Sequence, residues 1–233
     1  MDGFSDAHLH PTDTDTGAMY RDALQAEVLV GCTARLSEWG PMSAIGDKRL
    51  VRSYGIHPWY PDEWDADSHS KLEAILDSDP AAHVGEIGLD SKRGSIGDQM
   101  PVFKDQLCLA AEKDRIASIH MVGTEKEVLD ALRSAPHGRI LLHSYGSDSY
   151  LRPFYEEGCY FSISPRIMSR SEVRVKRLLS AIPPDRILTE TDAPNFPKGF
   201  EGMGPFISEL ERMSGIADLA SLAASNLRRL IDG

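Results

Sequence analysis

The chain has 233 residues, 41% of them hydrophobic and 26% charged, which is ordinary globular usage and excludes collagen-like, coiled-coil and disordered classes. Its 25 Lys and Arg against 36 Asp and Glu give a formal net charge of −11, so bulk charge does not draw it to nucleic acid or to an anionic membrane. Cys32, Cys108 and Cys159 are widely spaced and odd in number, which argues against a disulfide framework or a thiolate zinc site.

No basic, apolar leader and no run of about 18 apolar residues is visible, so a cytoplasmic protein without membrane contact is expected. Eight β-rich runs follow one another at 3–10, 27–32, 50–57, 82–89, 117–121, 139–143, 159–164 and 186–190. Helix-length amphipathic stretches alternate with them. Residues 98–114 place Phe103, Leu107, Ala110 and Ala111 at helical spacing, and 124–134 do the same with Val128, Leu129 and Leu132. Alternating β and α elements predict a parallel sheet. Eight units in one domain's length, without a glycine-rich first turn, predict an α/β fold of the (β/α)8 TIM-barrel type spanning residues 1–233 as a single domain. After the last strand, residues 193–205 carry three of the 14 prolines and three of the 19 glycines. That composition predicts an irregular loop on the C-terminal face of the barrel, walling the site.

Ionisable residues close the apolar runs. His8 and His10, two apart on the first strand, offer imidazoles on one side of it. Glu86, His120, His143 and Asp192 close runs four, five, six and eight. Such groups are costly to bury unless a cation compensates their desolvation. Four imidazoles and two carboxylates exceed one tetrahedral site, so two divalent ions are expected, with Glu86 as the natural bridge. Mg, Mn, Zn, Co and Ni all remain open, because occupancy of such a site follows supply.

These residues lie in segments that resemble the TatD-type metal-dependent deoxyribonucleases of the amidohydrolase superfamily. The segments are DAHLH at 6–10, GIHPW at 55–59, GEIGLD at 85–90, HSYG at 143–146 and TETDAP at 189–194. His120 matches too, as do Gln99, Phe103, Gln106, Leu107 and Ala110 on one helix and Asn226 and Leu230 near the end. The resemblance implies that His8, His10 and Asp192 hold one metal, that His120 and His143 hold the other, and that Glu86 bridges. It further implies that Asp192 is the general base toward the attacking water and that His57 lies near the substrate phosphate. Glu190 is implied as a water-positioning or supporting carboxylate, and Asp6 as a residue orienting the histidine pair. The implied activity is phosphodiester hydrolysis of DNA, single-stranded or from an end.

Three departures touch substrate binding. The family's arginine two residues after the strand-five histidine is Val122 here, the aromatics after GLD are Ser91, Lys92 and Arg93, and the segment after strand eight is short. Hydrolytic chemistry on an altered or narrowed substrate is therefore expected. Lys92, Arg93 and Lys198 are candidate replacements for lost phosphate contacts, with solvated loop charges the alternative. Trp59, Tyr60 and Tyr145 either stack on a base or pack on the rim. His69, His83 and His137 read as surface or capping histidines, and the charge run 169–176 as the wet face of a helix. The competing readings are an amidohydrolase-type barrel that cleaves a C–N or ester bond, and a non-catalytic metal-binding partner subunit. Two divalent cations would bring the net charge from −11 to −7, a local positive field on a surface that is still acidic.

Overall fold

Parallel pairing runs unbroken from the first strand to the last. The computed structural model describes residues 3–13, 25–195 and 201–233. Its eight strands are β1 (Phe4–Leu9), β2 (Ala26–Cys32), β3 (Leu50–Tyr54), β4 (His83–Asp90), β5 (Ala117–Val122), β6 (Ile140–Leu142), β7 (Tyr160–Ile163) and β8 (Ile187–Thr189), paired in sequence order. A bridge between Leu9 and Ala193 brings the two edges together, so the expected (β/α)8 barrel is the fold. Helices α1 (Trp39–Ser43), α2 (Ala66–Ser78), α3 (Ile96–Glu112), α4 (Glu125–Ser134), α5 (Leu151–Glu156), α6 (Glu172–Ala181), α7 (Met203–Ser214) and α8 (Leu219–Asp232) lie between and after the strands. Every residue of β1, β4 and β7 is buried, as strands covered on both faces must be. Among the described residues no helix is long and apolar enough to cross a membrane.

Side chains rather than ladder bonds end several strands, and this sets where the site residues stand. The apolar run predicted to 57 leaves the sheet at Tyr54. Beyond it, the Gly55 N–H donates to Thr33 Oγ1 (3.0 Å), and both polar groups of the Ile56 backbone are taken by the Gln106 amide (2.8 and 3.1 Å). His57 therefore sits in the loop after β3 rather than at its end. Gln99, one face along the same α3, pairs in the same way with both backbone groups of Asp90 (2.8 and 3.1 Å). One helix thus clamps the loop after β3 and the end of β4. Replacing Gln106 by Ala leaves a buried N–H and C=O at Ile56 unpaired. The expected loss is roughly 2–4 kcal/mol, read from urea unfolding.

Two closures complete the ring. Asp6 accepts from the Thr191 N–H (2.9 Å), the Thr191 hydroxyl (2.6 Å) and the His8 N–H (3.3 Å). Burial nevertheless raises its carboxyl to about 7. Its partners are backbone and hydroxyl groups, so Asp6 joins β1 to the segment after β8 and does not touch the imidazoles it was expected to orient. Asn226 on α8 donates to the Pro184 and Ile187 carbonyls (2.8 and 2.9 Å), tying the C-terminal helix beneath β8.

His83 departs from the surface role expected of it. It is 3% exposed, and its Nδ1 accepts the Ile116 N–H at 3.3 Å. Burial, with Arg139 and Arg115 nearby, lowers its pKa to about 3. Between about 6.5 and 3 the unfolded chain takes a proton that the native imidazole refuses. The His83 contribution is thus fully present above about pH 6.5 and declines by about 1.4 kcal/mol per unit below it. Urea midpoints across this range should slope less in His83→Asn than in wild type. His69 behaves as a surface residue, paired with Asp105 at 3.0 Å.

Candidate metal centre

The loops and strand ends of the C-terminal face converge on Glu86. Gly88, two residues on, is what allows β4 to approach β5 closely enough. It has φ +141, and a Cβ there would lie 2.0 Å from the His120 carbonyl oxygen. Glu86 is 2% exposed and divides its two oxygens between two groups of imidazoles. Its Oε2 lies 3.1 Å from His10 Nε2 and 3.4 Å from His8 Nε2. Its Oε1 lies 2.8 Å from His120 Nδ1, 2.9 Å from His143 Nε2 and 3.4 Å from His57 Nε2. Burial opposes ionisation of Glu86, but His143, His57 and His8 outweigh it and hold the carboxyl well below its usual range.

The six residues expected to hold metal are therefore brought together, and His57 joins them. Donor atoms within 4.8 Å of one another form three sets: His8, His10 and Asp192; His8, Glu86 and His143; and His57, Glu86 and His120. Imidazole nitrogens and carboxylate oxygens facing one another in a buried pocket suit divalent cations, so the donor set fits the expected group. The sequence reading put His57 beside the substrate. In the structure its ring nitrogen is as near to Glu86 as that of His8.

Three of the imidazoles have a second partner that sets their orientation. His8 turns Nδ1 to Ser118 Oγ (3.0 Å) and lies 3.4 Å from Cys32 Sγ. Burial, with His143 beside it, lowers the His8 pKa to about 4 and keeps the ring neutral, as a ligand must be. His120 turns Nε2 to Asp90 (3.3 Å), and Asp90 also accepts the Trp59 indole N–H (2.8 Å). The His120 bond, followed by that of Trp59, holds the Asp90 carboxyl far below its ordinary range despite some burial. His143 turns Nδ1 to Glu190 (3.3 Å). Glu190 is fully buried and also accepts from the Ser144 N–H (2.8 Å) and the Ser162 hydroxyl. It stands behind His143 and does not line the cavity.

Asp192 stands three residues past β8 in a left-handed conformation, φ 56. Its N–H donates to the His8 carbonyl (3.0 Å), and its Oδ2 accepts from Arg166 Nε at 3.1 Å. Arg166, in the turn after β7, is the sole Arg or Lys among the described residues lining the cavity of about 340 Å³ above the cluster. The sequence reading missed it; its place just after a barrel strand was the available signal. Arg93, a candidate phosphate contact, lies 4.4 Å over the Trp59 ring, and Trp59 is 44% exposed at the rim. Tyr145 is 2% exposed and packs on Phe161. Lys198 lies outside the described residues.

The fold is shared with solved barrels. The TatD homolog YjjV from Escherichia coli superposes with a TM-score of 0.85 at 22% identity, covering 99% of this chain and 98% of that one. In sequence, the chain is 26% identical over 212 residues to the uncharacterized metal-dependent hydrolase TatD of Mycobacterium tuberculosis, covering 81% of this chain and 79% of that one. It is 30% identical over 146 residues to the 3'-5' ssDNA/RNA exonuclease TatD of Cronobacter sakazakii, 60% of this chain, and the match spans only 56% of that relative's length. The sequence pattern of the family described as TatD related DNase matches residues 5–217. The chain belongs to the TatD related DNase family.

Proposed function

We propose that residues 1–233 form one hydrolase barrel that cleaves phosphodiester bonds of single-stranded DNA, working inward from an end, with two divalent cations held at Glu86. The observation that carries this reading is the division of the Glu86 carboxylate, one oxygen toward His8 and His10 and the other toward His120 and His143. His8, His10 and Asp192 would hold one cation, and His120 and His143 the other. Bound there, divalent cations supply Lewis acidity toward a phosphoryl oxygen and a nucleophile at neutral pH.

The protein's own residues do the rest. Asp192 accepts the proton of the attacking water at a carboxylate oxygen, and the Arg166 guanidinium fixes that carboxylate by its bond to Oδ2. His57 lies at the cavity wall between Glu86 and Trp59, where it would contact a phosphate oxygen of the substrate. Glu190 and Asp90 act as positioning residues, each turning one imidazole toward Glu86. The name of the Cronobacter relative supports a single-stranded nucleic acid as substrate. The test incubates protein loaded in turn with Mg²⁺, Mn²⁺, Co²⁺, Zn²⁺ or Ni²⁺ with end-labelled single- and double-stranded DNA, RNA, and a panel of amides and lactones. Progressive shortening of single strands is expected. Turnover of an amide or lactone without DNA cleavage would replace the nuclease reading with the amidohydrolase one.

A further inference from the structure

The cavity above Glu86 continues past its rim. His143, Ser144, Met121, Val122, Arg166 and Asn195 line it and also line a second cavity of about 820 Å³, larger than the first at about 340 Å³. The lining of this second space differs in chemistry from place to place. The end of β5 contributes the apolar side chains of Met121 and Val122, whereas the turn after β7 contributes Arg166 and Arg170, and Lys92 adds a third cation. Glu125 is the sole carboxylate among the described lining residues.

Arg166 is paired with Asp192, but the other two cations are not held by ion pairs in the way most surface cations are. Lys113, Lys126, Arg133, Arg152 and Arg212 each sit on a carboxylate. Among the described residues neither Lys92 nor Arg170 has a carboxylate partner. Arg170 is instead set in place by the carbonyl of Gly146, which accepts from Nη1. A Cβ at position 146 would come within 2.6 Å of Arg170 Nη2, so glycine there is what lets the guanidinium lie so close. The sequence reading assigned 169–176 to the wet face of a helix. Arg170 precedes α6 and lines this cavity instead.

An apolar surface with unpaired cations beside it, opening directly onto a phosphodiester site, matches the two faces of a nucleotide. We infer that the second cavity seats the nucleotide next to the scissile bond, its phosphate on Arg170 and Lys92 and its base against Met121 and Val122. This rests on the phosphodiesterase reading of the cluster and adds a subsite to it. Chain substrates then gain affinity that a lone phosphodiester cannot, and an arginine or lysine contact to phosphate is a charge-assisted bond.

Two readouts test it on the metal-loaded protein with Lys92→Ala, Arg170→Ala and the double variant. The first compares kcat/KM for a single-stranded oligonucleotide with that for the p-nitrophenyl ester of thymidine monophosphate. The ratio should fall by about tenfold or more in the double variant, since contacts to charged groups of this kind carry that much. The second is anisotropy of a labelled, hydrolysis-resistant phosphorothioate strand against salt. Losing two phosphate contacts should flatten the slope of log affinity on log salt by about 1.4. An unchanged ratio and an unchanged slope, with the wild type cleaving both substrates, would overturn the subsite and leave the nuclease reading standing. If the wild type cleaves neither substrate, that reading fails, and the salt slope alone still decides the subsite. Melting temperatures of the variants and Arg170→Lys, which keeps the charge and should restore part of the slope, separate binding from misfolding.

Discussion

Glu86→Gln is expected to lower kcat/KM on single-stranded DNA by on the order of 10³-fold or more and to lower the bound metal together with it. The substitution is nearly isosteric, so packing around a residue 2% exposed is kept. What changes is charge. The ionised carboxylate faces His10, His8, His120, His143 and His57 within 3.4 Å, and among the described residues no other carboxylate meets both sets. Gln offers one neutral carbonyl oxygen and one amide that repels a cation, so both groups lose the shared anion and one of them loses its Glu86 oxygen outright. Elemental analysis after dialysis should fall from about two equivalents of metal to one or fewer. The rise in melting temperature that metal gives the wild type should shrink with it, because a ligand bound only to the folded state stabilises that state. A variant that keeps full metal and full activity would remove Glu86 from the centre.

At saturating metal, which offsets the weakened hold on the cation beside His8 and His10, Asp192→Asn is expected to reduce kcat by about 10³-fold with little change in KM, the pattern of a lost proton acceptor rather than a lost substrate contact. Asn is the informative replacement because position 192 is left-handed, φ 56, a conformation that Asn tolerates and that costs most other residues roughly 1–2 kcal/mol. The Asp192 N–H bond to the His8 carbonyl is kept as well, so the join between β1 and the last loop survives. Steady-state kinetics on single-stranded DNA, beside a melting curve within a few degrees of the wild type, makes the comparison. Asp192→Ala would mix the chemical loss with backbone strain.

How much of this was readable beforehand depends on whether a feature is local or shared. The barrel was legible because eight apolar runs alternate with amphipathic stretches. The cluster at Glu86 was legible because His8, His10, Glu86, His120, His143 and Asp192 interrupt those runs where a polar residue has no reason to be buried. What each residue touches was not legible. Asp6 turned to the backbone of His8 and to Thr191, because a register shift in β1 and the loop after β8 bring those donors to it. His57 joined the imidazoles around Glu86 because Gln106 holds Ile56, fifty residues away in sequence. His83 showed no partner spacing, since its acceptor role depends on Ile116, the residue just before the neighbouring β5. Arg170 was hidden in a stretch rich in charge, where composition cannot separate a solvated helix from the turn that precedes it.

The sharpest test is anomalous diffraction from crystals of the Mn²⁺-loaded protein, collected at the manganese edge. Two peaks are predicted beside Glu86, one against His8, His10 and Asp192 and the other against His120 and His143. A single peak, or peaks away from the Glu86 carboxylate, would contradict the two-cation centre on which the proposed chemistry depends.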